Sequence, residues 1–168
     1  MDLLLVKRAQ KGDTDAFVRL IEKHKLSLYK VSKSYLKNEE DIADVMQDTI
    51  LSAYEHIGRL KQAAYFKTWI TRILINHCKD RLREQKRFIP TLLDEDRTAA
   101  APTDDREFYR LLEDLPEGMR PIFLLYYGEG FNTREIAQIL EMNENTVKSK
   151  LQRGRKKLKE VICKEAIL

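Results

Sequence analysis

Helical periodicity runs along this chain with one long interruption. From Pro90 to Glu107 the sequence carries two prolines, a run of three alanines and no apolar stripe at three- and four-residue spacing. Structureless stretches of that length are uncommon inside compact domains. The charge changes sign there too: residues 90–107 hold 6 acidic and 2 basic side chains, against 12 and 18 in residues 1–89 and 9 and 11 in residues 108–168. The break predicts two basic modules, 1–89 and 108–168, joined by a flexible acidic linker over 90–107. A solvated loop within one domain is the alternative. Only 6 glycines and 4 prolines punctuate the 168 residues. With Leu, Ile, Lys and Glu abundant, the expected fold class is all-α, as two small helical domains.

Several function classes fall away early. The longest apolar runs, Leu3–Val6 and Ile122–Tyr127, are far shorter than a membrane span. Leu3–Val6 is also too short for a signal-peptide core, and Lys7 and Arg8 follow it rather than precede it. A soluble, cytoplasmic chain without membrane insertion is expected. Cys78 and Cys163 stand alone and are expected to pack as small hydrophobes. His24, His56 and His77 also stand singly, without metal-ligand spacing. The reading is therefore of a chain that is no enzyme, with no catalytic residue, no metal, no cofactor and no small-molecule substrate.

The first module reads as three helices. Phe17, Leu20, Ile21, His24, Leu28 and Val31 recur at helical spacing between Asp13 and Tyr35. Asn38 is a candidate N-cap for a second helix, with Asp41 near its positive end. That helix turns Ile42, Val45, Met46, Thr49, Ala53 and Ile57 inward. Asp41, Asp44, Asp48 and Glu55 fall on one ridge with Leu51 among them. Such a ridge is either an ordinary solvated face or a dock for a basic partner helix. The third helix, Tyr65 to Lys86, is expected to bury Phe66, Trp69, Ile70, Ile73 and His77. Along its other side Arg72, Asn76, Lys79, Arg83 and Lys86 form a line that matches a phosphate backbone or a solvated basic face equally well.

The second module carries the sharpest pattern. Asn132 and Glu135 form a capping-box start, Leu140 closes a short helix, and Glu141-Met142-Asn143 makes a three-residue turn into a second helix. The second helix is expected to bury Val147, Leu151 and Leu158. Between Thr146 and Lys159 it carries seven cations and no acid. This is a helix-turn-helix, whose second helix enters the major groove N-terminus first.

Taken together, these residues resemble an extracytoplasmic-function sigma factor of the sigma-70 family. Asp41-Ile-Ala-Asp-Val-Met-Gln-Asp-Thr49 resembles that family's polymerase-binding helix, Phe66-Lys-Thr-Trp-Ile-Thr-Arg-Ile73 its Phe-x-x-Trp-Leu-x-x-Ile segment, and Thr146-Val-Lys-Ser-Lys-Leu-Gln-Arg153 its −35 recognition helix. The resemblance implies sigma domain two over 1–89 and sigma domain four over 108–168. It implies that Asp41, Asp44, Gln47, Asp48 and Leu51 bind the largest-subunit clamp helices of core RNA polymerase. It assigns promoter −10 DNA to Arg59, Lys61, Arg72, Asn76, Lys79 and Arg83, with the Gly58–Ala64 loop helping to capture a flipped base. It assigns −35 DNA to Arg134, Thr146, Lys148, Ser149, Lys150, Arg153 and Lys157. An anti-sigma factor is an implied partner, one that could hold the chain near the membrane, and the acidic linker is implied to mimic a nucleic-acid strand inside polymerase. The sequence departs from the family pattern at Asn143 and Asn145, where Pro and Gly are common, and at Gly154, where Ala is usual. Glycine there costs roughly 1 kcal/mol of helix propensity.

Two rival readings remain at this stage. A helix-turn-helix regulator that never touches polymerase explains the second module and leaves the acidic ridge without a purpose. A small nuclease would need a carboxylate or histidine cluster that the spacing does not supply.

Overall fold

The computed structural model describes residues 2–88 and 106–167. The chain divides into two compact units, Met1–Glu95 and Asp96–Leu168. The stretch expected to join the modules lies outside the described residues, except for Arg106 and Glu107, which already belong to a helix. Among the described residues there is no strand.

The first unit opens with a helix that sequence periodicity did not announce, α1 (Asp2–Gln10). It stops at Gly12, whose φ of +92° is easy for glycine and strained for other residues. Asp13 then caps α2 (Thr14–Tyr35) by accepting from the Ala16 amide at 3.0 Å. That bond, seconded by the Arg8 guanidinium 2.6 Å away, holds the Asp13 carboxyl below the usual carboxylate range. Asn38 caps α3 (Glu39–His56), its side-chain oxygen 2.7 Å from the Glu40 amide and 3.3 Å from the Asp41 amide. Two short 3-10 turns, Ile57–Arg59 and Ala63–Tyr65, lead into α4 (Phe66–Phe88).

Helices α2, α3 and α4 pack around one core of Phe17, Leu20, Leu28, Val31, Ile42, Val45 and Ala53. The α4 contribution differs from the sequence expectation. Phe66 and Ile70 are buried as expected, but the stripe continues through Leu74, Ile75 and Cys78, while Trp69, Ile73 and His77 are only half-buried. The reason is that α4 touches α2 and α3 together, so its buried face is broader than one neighbour would require and is turned away from Trp69. His77 is satisfied at the rim by the Ser52 hydroxyl, 3.0 Å from Nε2. Burial pushes the Cys78 thiol up to about 12, whereas Cys163, expected to pack as a hydrophobe, is exposed.

The second unit holds α5 (Arg106–Glu113), α6 (Arg120–Phe123) running on as a wider π turn over Leu124–Gly128, α7 (Thr133–Leu140) and α8 (Glu144–Ile167). Its core is Leu115, Ile122, Phe123, Leu124, Leu125, Ile136, Ile139, Val147 and Leu151. The capping box is complete: the Asn132 and Glu135 side chains each accept from the other's backbone amide at 2.9 Å. Glu141 closes α7 in the left-handed region at φ 55°, and the Asn143 side chain accepts from the Asn145 amide at 2.8 Å as α8 begins. Leu158, expected to be buried, is half-buried.

Gly154 has a structural reason. A Cβ built there would sit 2.4 and 2.5 Å from the Phe123 ring, which itself is 2% exposed. The glycine lets that ring approach the α8 backbone closely, and the contact offsets its poor helix propensity. Gly154→Val is expected to lower the stability of the second unit by about 2 kcal/mol through overpacking, read as a lower thermal midpoint. Trimming Phe123 to Leu in that background should recover part of the loss.

Candidate functional site

Three surfaces gather the residues singled out above. The first is the outer ridge of α3. Gln47, Asp48 and Glu55 are exposed, and Leu51 stands 62% exposed among them. Asp41 and Asp44 are different. The Arg81 guanidinium of α4 lies 3.5 Å from the Asp41 carboxylate and 3.0 Å from that of Asp44, and the Gln85 amide donates to Asp41 at 2.7 Å. Asp41 is half-buried by this clasp. The N-terminal end of the ridge thus holds α3 to α4, and its open part runs from Gln47 to Glu55.

The second surface is the basic line on α4. Arg72, Asn76, Arg83 and Lys86 are exposed, and Lys79 is half-buried. Arg83 pairs with Asp80 one turn back at 3.2 Å, a contact worth little in water and easily exchanged for a phosphate. Trp69, expected in the core, is half-buried, rests on Phe66 with ring centroids 5.9 Å apart, and falls one turn before Arg72. Helical spacing alone did not separate Trp69 from Phe66. The preceding loop exposes Arg59 and Lys61, and Tyr65 is 46% exposed. A pocket of about 360 Å³ opens beside it, lined by Asp2 and Leu3 of α1, Lys23 of α2, and Ala63, Ala64 and Lys67. No sequence signal pointed to this pocket, because α1 read only as a short apolar run.

The third surface is α8 and the turn before it. Arg134, Thr146, Lys148, Ser149, Arg153 and Lys157 are exposed, and Lys150 is half-buried beside Gly118. Glu144 opens the helix between these cations. It accepts from the Thr133 hydroxyl at 2.9 Å and pairs with Lys148 at 3.0 Å, and Lys148 foremost keeps its carboxyl below the usual range. One of the seven cations is turned elsewhere. Arg155 donates to the Tyr127 hydroxyl at 2.6 Å and lies 5.6 and 5.7 Å from the ring centroids of Tyr126 and Tyr127. Next to it an apolar groove of about 410 Å³ runs between α5, α6 and α8, past Leu111, Leu158 and Ile162.

Each surface is a shallow display of charge around a few apolar side chains. Among the described residues, no group of three or more His, Cys, Asp or Glu is placed to hold a metal ion, and no helix is long and apolar enough to cross a membrane.

Comparison with known proteins agrees with this arrangement. Residues 20–88 match the family described as sigma-70 region 2, and residues 105–158 match sigma-70, region 4. The ECF RNA polymerase sigma factor SigM of Mycobacterium tuberculosis (strain ATCC 25618 / H37Rv) is 32% identical over 152 residues, covering 88% of this chain and 77% of its own. The structure of CnrH in complex with the cytosolic domain of CnrY is similar with a TM-score of 0.71 at 25% identity, covering 96% of each chain. An engineered region 2 of sigmaE in complex with GTAAAA is similar with a TM-score of 0.50 at 31% identity, covering 54% of this chain and 95% of that one. With both regions present in order, the chain belongs to the sigma-70 family as an extracytoplasmic-function sigma factor, an alternative subunit that directs core RNA polymerase to promoters.

Proposed function

We propose that the open part of the α3 ridge, Gln47 through Glu55, docks on the clamp helices of the largest polymerase subunit, with Asp48 and Gln47 as polar contacts and Leu51 as the apolar anchor. The observation that carries this reading is an exposed leucine among carboxylates on a helix whose opposite face is fully buried. Asp41 serves mainly as a strap to α4, given its Arg81 and Gln85 partners. The α4 line from Arg72 to Arg83, the loop cations Arg59 and Lys61, and Trp69 form the −10 surface, where a side-chain ring at the edge of a basic face stacks readily on an unpaired base. The first residues of α8, with Arg134, Lys150, Arg153 and Lys157, form the −35 surface. The region 2 neighbour's complex with GTAAAA supports placing single-stranded −10 DNA on the first unit.

An anti-sigma factor is the second protein partner in this proposal; the similar chain CnrH is itself held by another protein's cytosolic domain, that of CnrY. Such a partner, covering Leu51 or the apolar groove beside Ile162, would hold the chain in the cytoplasm away from polymerase, and near the membrane when itself anchored there.

Asp48→Arg should lower affinity for core polymerase at least about tenfold in a pull-down titration, because it places a like charge against a basic partner. Asp41→Ala should cost about 1 kcal/mol of stability by releasing the strap and weaken polymerase binding much less. Retention of core affinity in the Asp48 variant refutes the docking assignment. A wild-type chain that binds −35 duplex yet leaves core polymerase in the flow-through would instead be an operator-binding regulator.

At the −35 element, Arg153→Ala is expected to weaken promoter binding by about 1–3 kcal/mol and relax base preference if it reaches a base edge. Lys157→Ala, more than three turns from the N-terminal end of α8 and assigned here to phosphate, should weaken all duplexes alike and reduce the salt slope by about one. Competition binding at several salt concentrations separates the two.

A further inference from the structure

Helix α1 lies before residue 20, where the region 2 match begins, yet it reaches the −10 loop at two points. At its C-terminal end the Gln10 side-chain amide donates to the Ile57 carbonyl at 3.0 Å and to the Leu60 carbonyl at 2.8 Å. At its N-terminal end Asp2 and Leu3 form one wall of the pocket whose other walls include Ala63 and Ala64. The helix is itself fixed to α2. Val6 is fully buried, Asp2 pairs with Lys23 and faces His24 at 3.3 Å, and Arg8 pairs with Asp13. Gln10 therefore acts from a rigid platform.

We propose that Gln10 is a positioning residue for promoter opening: its two N–H groups hold the Ile57–Leu60 turn so that the loop through Ala64 is set for an extruded base before DNA arrives. The inference rests on the reading of that loop as part of the −10 surface. Gly58, Arg59, Lys61 and Gln62 are all exposed, and the bonds that close the loop's own turns, Leu60 N–H to Ile57 and Tyr65 N–H to Gln62, are local. The Gln10 bonds span 47 and 50 residues, so they tie the loop to the body of the unit. A loop ordered in advance loses less conformational freedom on binding, and the saving appears as affinity for the extruded base.

The test uses the full chain and a single-stranded DNA hexamer selected from a random pool by the wild-type protein. Gln10→Met keeps length and packing and removes both donors. It should weaken hexamer binding about fivefold, with core-polymerase affinity retained. Gln10→Glu, which sets a carboxylate against two carbonyl oxygens, should weaken it further. Equal hexamer binding by wild type and Gln10→Met overturns the inference. So does a joint fall in hexamer binding, core affinity and thermal midpoint, which would make Gln10 a general stabiliser. If the wild-type chain selects no hexamer at all, the −10 reading itself fails, a result distinct from either.

Discussion

Burial of α4 between α2 and α3 sets the geometry of the whole first unit. Phe66, Ile70, Leu74, Ile75 and Cys78 are each at most 1% exposed, and a helix anchored along such a stripe cannot rotate without exposing it. Moving a single large apolar side chain back into water costs about 1.5–3 kcal/mol. The basic line on α4 points outward because the apolar stripe points inward. The same packing places α3 beside α4, so that its ridge faces solvent on another side of the unit. Surfaces of opposite sign are thereby held apart on one small scaffold.

Electrostatics adds a second constraint. The acids of α3 and the bases of α4 come from neighbouring helices, and some of them meet. Arg81 takes up Asp41 and Asp44, which ties the helices together and partly neutralises the N-terminal end of the ridge. In the second unit, Glu144 and Tyr127 do comparable work for α8. One holds Lys148 near the helix start and the other draws Arg155 away toward an aromatic shelf. A helix that looks uniformly basic as a string is thus sorted into cations displayed to solvent and a cation held against aromatic rings.

Much of this was legible in the residues. The capping box at Asn132 and Glu135, the cap at Asn38 and the turn at Glu141–Asn143 all appear as read, because capping is a local matter of side chains within three residues of the amides they satisfy. Trp69, Ile73 and His77 were misplaced because periodicity reports that a helix has an apolar side, while the number of neighbours decides how wide that side is and where its centre lies. Helix α1 was missed because nine residues give too few turns for a stripe to show. Its stability comes from docking on α2 rather than from its own propensity.

The amino-acid sequence alone determined the all-helical character, the helix-turn-helix and the three family motifs. Each depends on spacing and capping within a few residues, where the covalent chain itself supplies the geometry. Tertiary structure decided which acids of the ridge remain open, why residue 154 is glycine, which side of α4 shows its tryptophan, and that Gln10 reaches a loop 47 to 50 residues away. Those outcomes depend on contacts between segments far apart in the chain, and a one-dimensional pattern carries no distance between such segments.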